Sequence, residues 1–313
     1  MPPYPTLPLV TDTWHKGIPV GIVVPLSFLL AVVVVSAVAS RRRSRALPLV
    51  LTAGLTQAAR TTRRWRVAGL AAGVVVAIVS AQHDALGRGL MLAVPLCALC
   101  VLVGVVLGEL RVAAPQGPLR SAALEVRRVR DYLPGRLTAT VGTATGLLLV
   151  VLALTTATGS ADDLGRAGRS FDRRCSAVMS GGTGPWPGSF YSVPLALLVV
   201  AGLLLAGVAL RRVVRRPRQG EDTTVDDALR RQAAEAVVAA CGLLVALPFA
   251  GVSLLTASAL HNHTCPPAGS SVAVVVLWGL VPALMVLAAW CVGVLVTPAG
   301  TGRLAPAPVD VPR

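Results

Sequence analysis

The sequence predicts an all-α polytopic transmembrane helix bundle of about seven spanning helices, with the N-terminus outside and the C-terminus in the cytoplasm. Of its 313 residues, 54% are hydrophobic and 14% are charged, and the mean hydropathy is +0.72, a balance that one soluble core cannot bury. Apolar runs of about 20 residues, enough to cross roughly 30 Å of hydrocarbon, recur along the chain. Arginines collect at alternate ends of these runs, as the positive-inside rule requires.

The net charge of +15 is interpreted as a signal of membrane topology. Of the 29 lysines and arginines, 23 fall in segments predicted to be cytoplasmic, next to the ends of apolar runs. This distribution argues against nucleic acid as a partner and favours contact with anionic lipid at the cytoplasmic face. One lysine against 28 arginines is typical of a bacterial chain, so we predict a multi-pass protein of the bacterial plasma membrane.

The chain divides into an extracytoplasmic N-terminus over residues 1–17, a single transmembrane domain over 18–297 and a disordered, proline-rich cytoplasmic tail over 298–313. The first apolar run is followed at once by arginines that would resist export, which favours a spanning helix over a cleaved leader. The predicted spans are 18–39, 67–81, 90–110, 137–158, 193–210, 234–260 and 271–297.

The segment 41–66 sets the orientation of the chain. It contains no acid and is expected in the cytoplasm, which places the first span with its N-terminus outside. Within it, Ala46 to Ala59 has only 14 residues and is interrupted by Pro48 and Gly54, so it is predicted to lie at the membrane interface. The orienting side chains are Arg41, Arg42, Arg43, Arg45, Arg60, Arg63, Arg64 and Arg66.

A second basic segment, 111–136, carries the best amphipathic pattern in the chain. Its apolar residues recur at spacings of three and four, and Pro134-Gly135 ends the pattern. We predict a helix lying on the cytoplasmic leaflet, with docking of a soluble partner as the alternative. Its apolar residues are Leu119, Ala122, Val126, Val129 and Leu133, and its arginines are Arg120, Arg127, Arg128 and Arg130.

Small residues predict close packing between the spans. Three G-x-x-x-G matches occur, at 69–73, 104–108 and 142–146. The last match belongs to a span whose small and hydroxylated residues fall near one face, which predicts a close neighbouring helix. Further along, the acidic segment beginning at Thr223 is expected to run as a helix directly into the span 234–260.

Cysteine location predicts one disulfide. Cys175, in the long loop 159–191, and Cys265, in the loop 261–267, are the two cysteines predicted to lie outside, where conditions are oxidising. We therefore expect a bond between them. The cysteines within spans are expected to act as packing residues, and the C-x-x-C spacing of two of them lacks the exposed helix start of a redox motif. These four are Cys97, Cys100, Cys241 and Cys291.

The same outside loops contain weak candidates for a metal site: His261, His263 and Cys265. A His-x-His pair in an extended chain places both imidazoles on one side, and a thiolate two residues further extends the set. His83, Asp84 or Cys175 are further candidate ligands. A disulfide would consume the thiols, so we predict neither a metal nor a cofactor.

The sequence contains no P-loop, HExxH or GxSxG motif and no charged residue at mid-depth of a span. We therefore expect a non-enzymatic structural or accessory membrane component with basic cytoplasmic loops. The alternative is a permease subunit energised by a separate ATPase, docked through Leu119–Leu133 or Thr224–Arg231. A second alternative is an outward-facing metal-binding sensor or enzyme.

Overall fold

A computed structural model describes residues 53–83, 86–111, 128–215 and 223–296. It contains six helices that are long and apolar enough to cross a membrane, and each corresponds to one predicted span. The first predicted span, 18–39, and the tail from 298 lie outside the described residues, as do Arg41, Arg42, Arg43 and Arg45. The helices are α1 (Ala53–Gln82), α2 (Arg88–Leu110), α3 (Gly135–Thr158), α4 (Ser189–Arg215), α5 (Thr223–His261) and α6 (Ser270–Val296).

The fold is not purely α-helical, because the segment between α3 and α4 contains an antiparallel β-hairpin. Strand β1 (Phe171–Arg174) pairs with β2 (Ser180–Thr183), and Phe171 lies opposite Thr183. Gly182 of β2 lies opposite Asp172 of β1, and because it has no side chain it leaves space for the Asp172 carboxylate. The polar, glycine-rich composition of this segment had predicted only an irregular loop.

Helix α1 includes the last part of the predicted interfacial segment 46–59, whose residues 46–52 lie outside the described ranges. The structure has one continuous helix from Ala53 to Gln82, whose apolar window begins at Arg60. No proline interrupts this range, and arginine is a good helix former whose long side chain reaches water from a membrane interface. The predicted span 67–81 is therefore the second half of a longer helix.

Helix α5 is the centre of the bundle. Within its apolar window 78% of the residues are buried, against 11% for α1. It contacts α2, α3, α4 and α6, and its Leu244, Val245 and Phe249 form the middle of the apolar core. Its acidic first turns continue without a break into the span, which confirms the single long helix predicted here.

Two of the three G-x-x-x-G motifs join α1 to α2. A Cβ atom on Gly69 would lie 2.7 Å from the carbonyl oxygen of Cys100, and one on Gly104 would lie 2.5 Å from that of Trp65. The third motif behaves differently, because Cβ atoms on Gly142 and Gly146 would meet nothing within 4 Å. The close helix contact predicted for that face of α3 is therefore absent from the described residues.

The helices alternate in direction, so the bundle has two ends. At one end the hydroxyl of Tyr191 donates to the carbonyl of Leu86 at 2.8 Å, and that of Thr183 donates to the carbonyl of Ala259 at 3.2 Å. We call it the loop end; it comprises residues 83, 86–87, 159–188 and 262–269. The opposite end, which we call the arginine end, comprises residues 60–66, 111, 128–136, 211–215 and 223–231.

The predicted amphipathic helix falls largely on residues 112–127, outside the described ranges. Its final part is not α-helical: Arg128 is extended, and Val129–Asp131 form a single 3-10 turn. The carboxylate of Asp131 accepts the Arg128 amide at 3.2 Å and closes this turn. The helix therefore does not continue to Leu133, which packs against the core of the bundle.

Candidate functional site

The loop end is closed by a cap, which we define as residues 159–188 and 262–269. Phe171 stacks on Trp186 with ring centroids 4.6 Å apart and meets the edge of the His263 ring at 5.1 Å. The indole nitrogen of Trp186 donates to the carbonyl of Thr155 at 2.8 Å, close to the end of α3. The aromatic cluster also packs on Ala259 of α5, so the cap is fixed to the ends of two helices.

His263 is a structural residue of the cap. It is buried, with 5% of its surface exposed. Its Nδ1 accepts the Cys265 amide at 2.9 Å, so Nε2 carries the proton and donates to the Phe171 carbonyl at 3.2 Å. Both ring nitrogens are therefore committed to hydrogen bonds that tie the turn after α5 to β1.

Cys175 and Cys265 lie at disulfide distance, with Cα atoms 5.9 Å apart across 90 residues of sequence. This is the pair predicted from the sequence. It links the end of β1 to the turn that follows α5, two residues from His263. The pair and the histidine thus join the same two segments of the cap.

The candidate metal ligands do not converge. His261 is exposed at the end of α5, both nitrogens of His263 are hydrogen-bonded, and the sulfur of Cys265 faces that of Cys175. Among the described residues, no group of three or more His, Cys, Asp or Glu side chains is placed to hold a metal ion. The metal-site hypothesis therefore gains no support from the described geometry.

Asp162 organises the first part of the cap. Its carboxylate accepts the amides of Leu164 at 3.1 Å and Arg166 at 2.8 Å, and it pairs with the guanidinium groups of Arg166 at 2.7 Å and Arg169 at 3.0 Å. Desolvation raises the pKa of Asp162, but hydrogen bonds and the positive charge of Arg166 outweigh it and hold that pKa below its ordinary value.

This lowered pKa predicts an acid-sensitive turn. In an unfolded chain an aspartate has a pKa of about 3.9, so the contribution of Asp162 to stability is complete above that pH and is lost as the pH falls through the folded-state pKa. We expect the Leu164 and Arg166 amide resonances to shift together, with a midpoint below about pH 3.9. Asp162→Asn should abolish this step, whereas Asp163→Asn should retain it. A midpoint at or above the unfolded value would contradict the prediction.

An open cleft of about 870 Å³ lies beside this turn. Its two arginines are paired with Asp162, and the carboxylate of Asp172 accepts the hydroxyl of Ser170 at 2.5 Å. We assign no ligand to this cleft. Its lining residues are Leu86, Ala161, Asp162, Asp163, Arg166, Arg169, Ser170, Asp172, Gly182, Thr183, Gly184 and Pro185.

The arginine end is held together by a buried guanidinium. Arg230 of α5 is 0% exposed, and its Nη1 donates to the carbonyls of Val213 at 3.3 Å and Val214 at 2.7 Å. These carbonyls belong to the last turn of α4, where the helix supplies no internal donor and the helix dipole favours a positive charge. One turn earlier on α5, Asp227 accepts the hydroxyl of Tyr132 at 3.1 Å.

In the sequence, Arg230 lies four residues after Asp226, a spacing that predicts only an i,i+4 ion pair on the helix surface. Arg230 is followed directly by the exposed Arg231 in a segment of mixed polarity, so its burial left no signal in the local pattern. Its acceptors lie 16 and 17 positions earlier on another helix, which periodicity cannot reveal.

We expect Arg230→Met to destabilise the protein by about 2 kcal/mol, because it leaves the terminal carbonyls of α4 buried without their charged donor. Arg230→Lys should recover part of the loss, since it keeps the charge but not the planar guanidinium. Arg231→Met is the matched control, because Arg231 is the exposed neighbour on the same turn. Thermal unfolding in detergent measures all three. Equal midpoints for Arg230→Met and Arg231→Met would show that the buried bonds contribute nothing.

The other predicted site residues remain apart from both clusters. Of the orienting arginines, Arg60, Arg63 and Arg64 are exposed on α1, and Arg66 is partly buried. Free cysteines lie within α2, α5 and α6, where Gly73 packs directly on Cys97 and Gly242 on Cys291.

No protein-family model matches the chain, and no match is found among the curated proteins or the solved structures.

Proposed function

We propose that this protein is a non-enzymatic structural or accessory component of the bacterial plasma membrane, with the cap outside and the arginine end in the cytoplasm against anionic lipid. The observation that carries the proposal is that three well-bonded polar side chains, found at both ends of the bundle, hold segments of the fold together. His263 ties the turn after α5 to β1, Asp162 closes a turn of the cap, and Arg230 joins α5 to α4. Such an arrangement suits a protein that holds position within an assembly.

Two independent features support this orientation. Disulfides form in oxidising compartments, which supports an outside location for the end that contains Cys175 and Cys265. Arginines are retained on the cytoplasmic side, which supports a cytoplasmic location for the opposite end. The two assignments agree, because the cysteine pair and the arginine end lie at opposite ends of the same helices.

The permease alternative has less support from the described residues. Docking of an ATPase through 224–231 would need polar side chains that face outwards. Asp227 bonds to Tyr132 and Arg230 is buried against α4, so among the described side chains of this segment Arg231 is the exposed polar one. The other docking segment, 119–133, falls largely outside the described ranges.

Affinity purification of the tagged protein from solubilised membranes, followed by mass spectrometry, tests the proposal. We expect stoichiometric recovery of other integral membrane proteins. None of them should be recovered in a control purification from cells that express the tag without the protein. Stoichiometric recovery of an ATPase would replace the proposal with the permease alternative. Recovery of the chain alone, under conditions that preserve a known complex of the same membrane, would contradict an accessory role.

A further inference from the structure

We propose that the arginine end of α1 binds the headgroup of an anionic phospholipid, whose acyl chains lie along the apolar stripe that follows on the same helix face. The inference deepens the proposed function and rests on it, because it requires α1 to lie in a bilayer. It assigns a particular surface to the lipid contact that the overall charge indicates only in general.

The arginines of α1 form one face. Arg60, Arg63 and Arg64 have the spacing i, i+3 and i+4, and all three are exposed. The same face continues with Val67, which is 58% exposed, and Leu70, which is 48% exposed. Along the helix axis, three cations within about one turn are followed by apolar side chains. This order matches that of headgroup and acyl chain in a phospholipid leaflet.

Within the described residues, this face lies at the edge of the bundle. The opposite face of α1 carries Gly69 and Gly73, which pack against the backbone of α2. Only 11% of the apolar window of α1 is buried, the lowest value among the six helices, so a lipid can reach the arginine face from the side.

A further cation and an aromatic ring lie at the same end of the helix pair, on the side of α1 that packs on α2. The guanidinium of Arg111, at the end of α2, lies over the Trp65 ring at 5.3 Å. Tryptophan is enriched at the headgroup level of membranes, which supports placing the arginine end of α1 at the depth where phosphates lie. Guanidinium groups donate paired hydrogen bonds to phosphate oxygens, and an anionic lipid supplies net negative charge that phosphatidylcholine lacks.

The local charge also favours an anion here. Helix α1 contains no acidic residue, and Glu109, which is on α2, is buried at 9% exposure. At the arginine end of α4, Val214 packs on Tyr132, whose hydroxyl donates to the carboxylate of Asp227.

Native mass spectrometry and thermal unfolding with phosphatidylglycerol or phosphatidylcholine of identical acyl chains test the inference. We expect the wild-type protein to prefer phosphatidylglycerol by at least about tenfold, and Arg63→Gln/Arg64→Gln to reduce this preference towards unity. Arg173→Gln/Arg174→Gln, an adjacent exposed pair at the loop end, should leave it unchanged. Glycerol phosphate should not compete at equal concentration, because it lacks the acyl chains.

Three results would overturn the inference: no preference in the wild-type protein, an unchanged preference in Arg63→Gln/Arg64→Gln, or an equal loss in Arg211→Gln/Arg212→Gln. The last result would indicate a diffuse basic end instead of a site on α1. If the preference is absent but affinity purification still recovers membrane partners, the lipid site alone fails. If the chain is absent from the membrane fraction, the proposed function fails with it.

Discussion

Replacing Gly104 with leucine is expected to destabilise the protein by about 3 kcal/mol or more and to detach α1 from α2. A Cβ atom at this position would lie 2.5 Å from the carbonyl oxygen of Trp65 and 3.0 Å from the Cα atom of Gly69. Both atoms belong to backbone, so no side-chain rotation relieves the clash. Among the described residues, helix α1 makes its extensive contact with α2 and contributes no residue to the central core, so this contact is its main attachment there.

The matched control is Gly142→Leu, which makes the same substitution in a motif of the same spacing. A Cβ atom on Gly142 would meet nothing within 4 Å, so this variant should change stability by no more than about 0.5 kcal/mol. Thermal unfolding of both variants in one detergent gives the comparison, and a shift of about 2–4 °C per kcal/mol is expected for a chain of this size. Equal losses would show that helix propensity, and not the helix contact, determines the effect.

The positions of the six described apolar helices could be predicted because the physics that sets them is local. A run of about 20 apolar residues is long enough to cross the bilayer wherever it occurs, and arginines at its ends need no tertiary partner to be recognised. The pairing of Cys175 with Cys265 could also be predicted, since the predicted topology placed only these two cysteines in an oxidising compartment.

Contacts between distant segments could not be predicted in the same way. The three G-x-x-x-G motifs look equivalent in the sequence, but only those at 69–73 and 104–108 face another described helix. From the sequence, His263 is a candidate metal ligand. In the structure its Nε2 instead bonds to the Phe171 carbonyl, which lies 92 residues earlier in the chain. Periodicity identifies which face of a helix is special, whereas the partner of that face is a property of the assembled bundle.

Removal of the cysteine pair is the second large effect that we expect. Cys175→Ser should destabilise the protein by about 2–4 kcal/mol, because the pair closes a segment of 90 residues and restricts the unfolded chain. Dithiothreitol should lower the thermal unfolding midpoint of the wild-type protein to about that of Cys175→Ser. It should leave the midpoint of Cys175→Ser/Cys265→Ser unchanged. In intact cells, a membrane-impermeant maleimide should label neither thiol before reduction.

The location of the damage provides a further check on this prediction. The bonds from Trp186 to Thr155 and from Thr183 to Ala259 do not involve the cysteines, so they should keep the cap docked on α3 and α5 after the pair is removed. We therefore expect faster proteolysis within 174–180 while the helices remain protected. Labelling of both thiols without reduction would show that the pair is not oxidised. Cleavage spread evenly over the helices would instead assign the effect to the bundle itself.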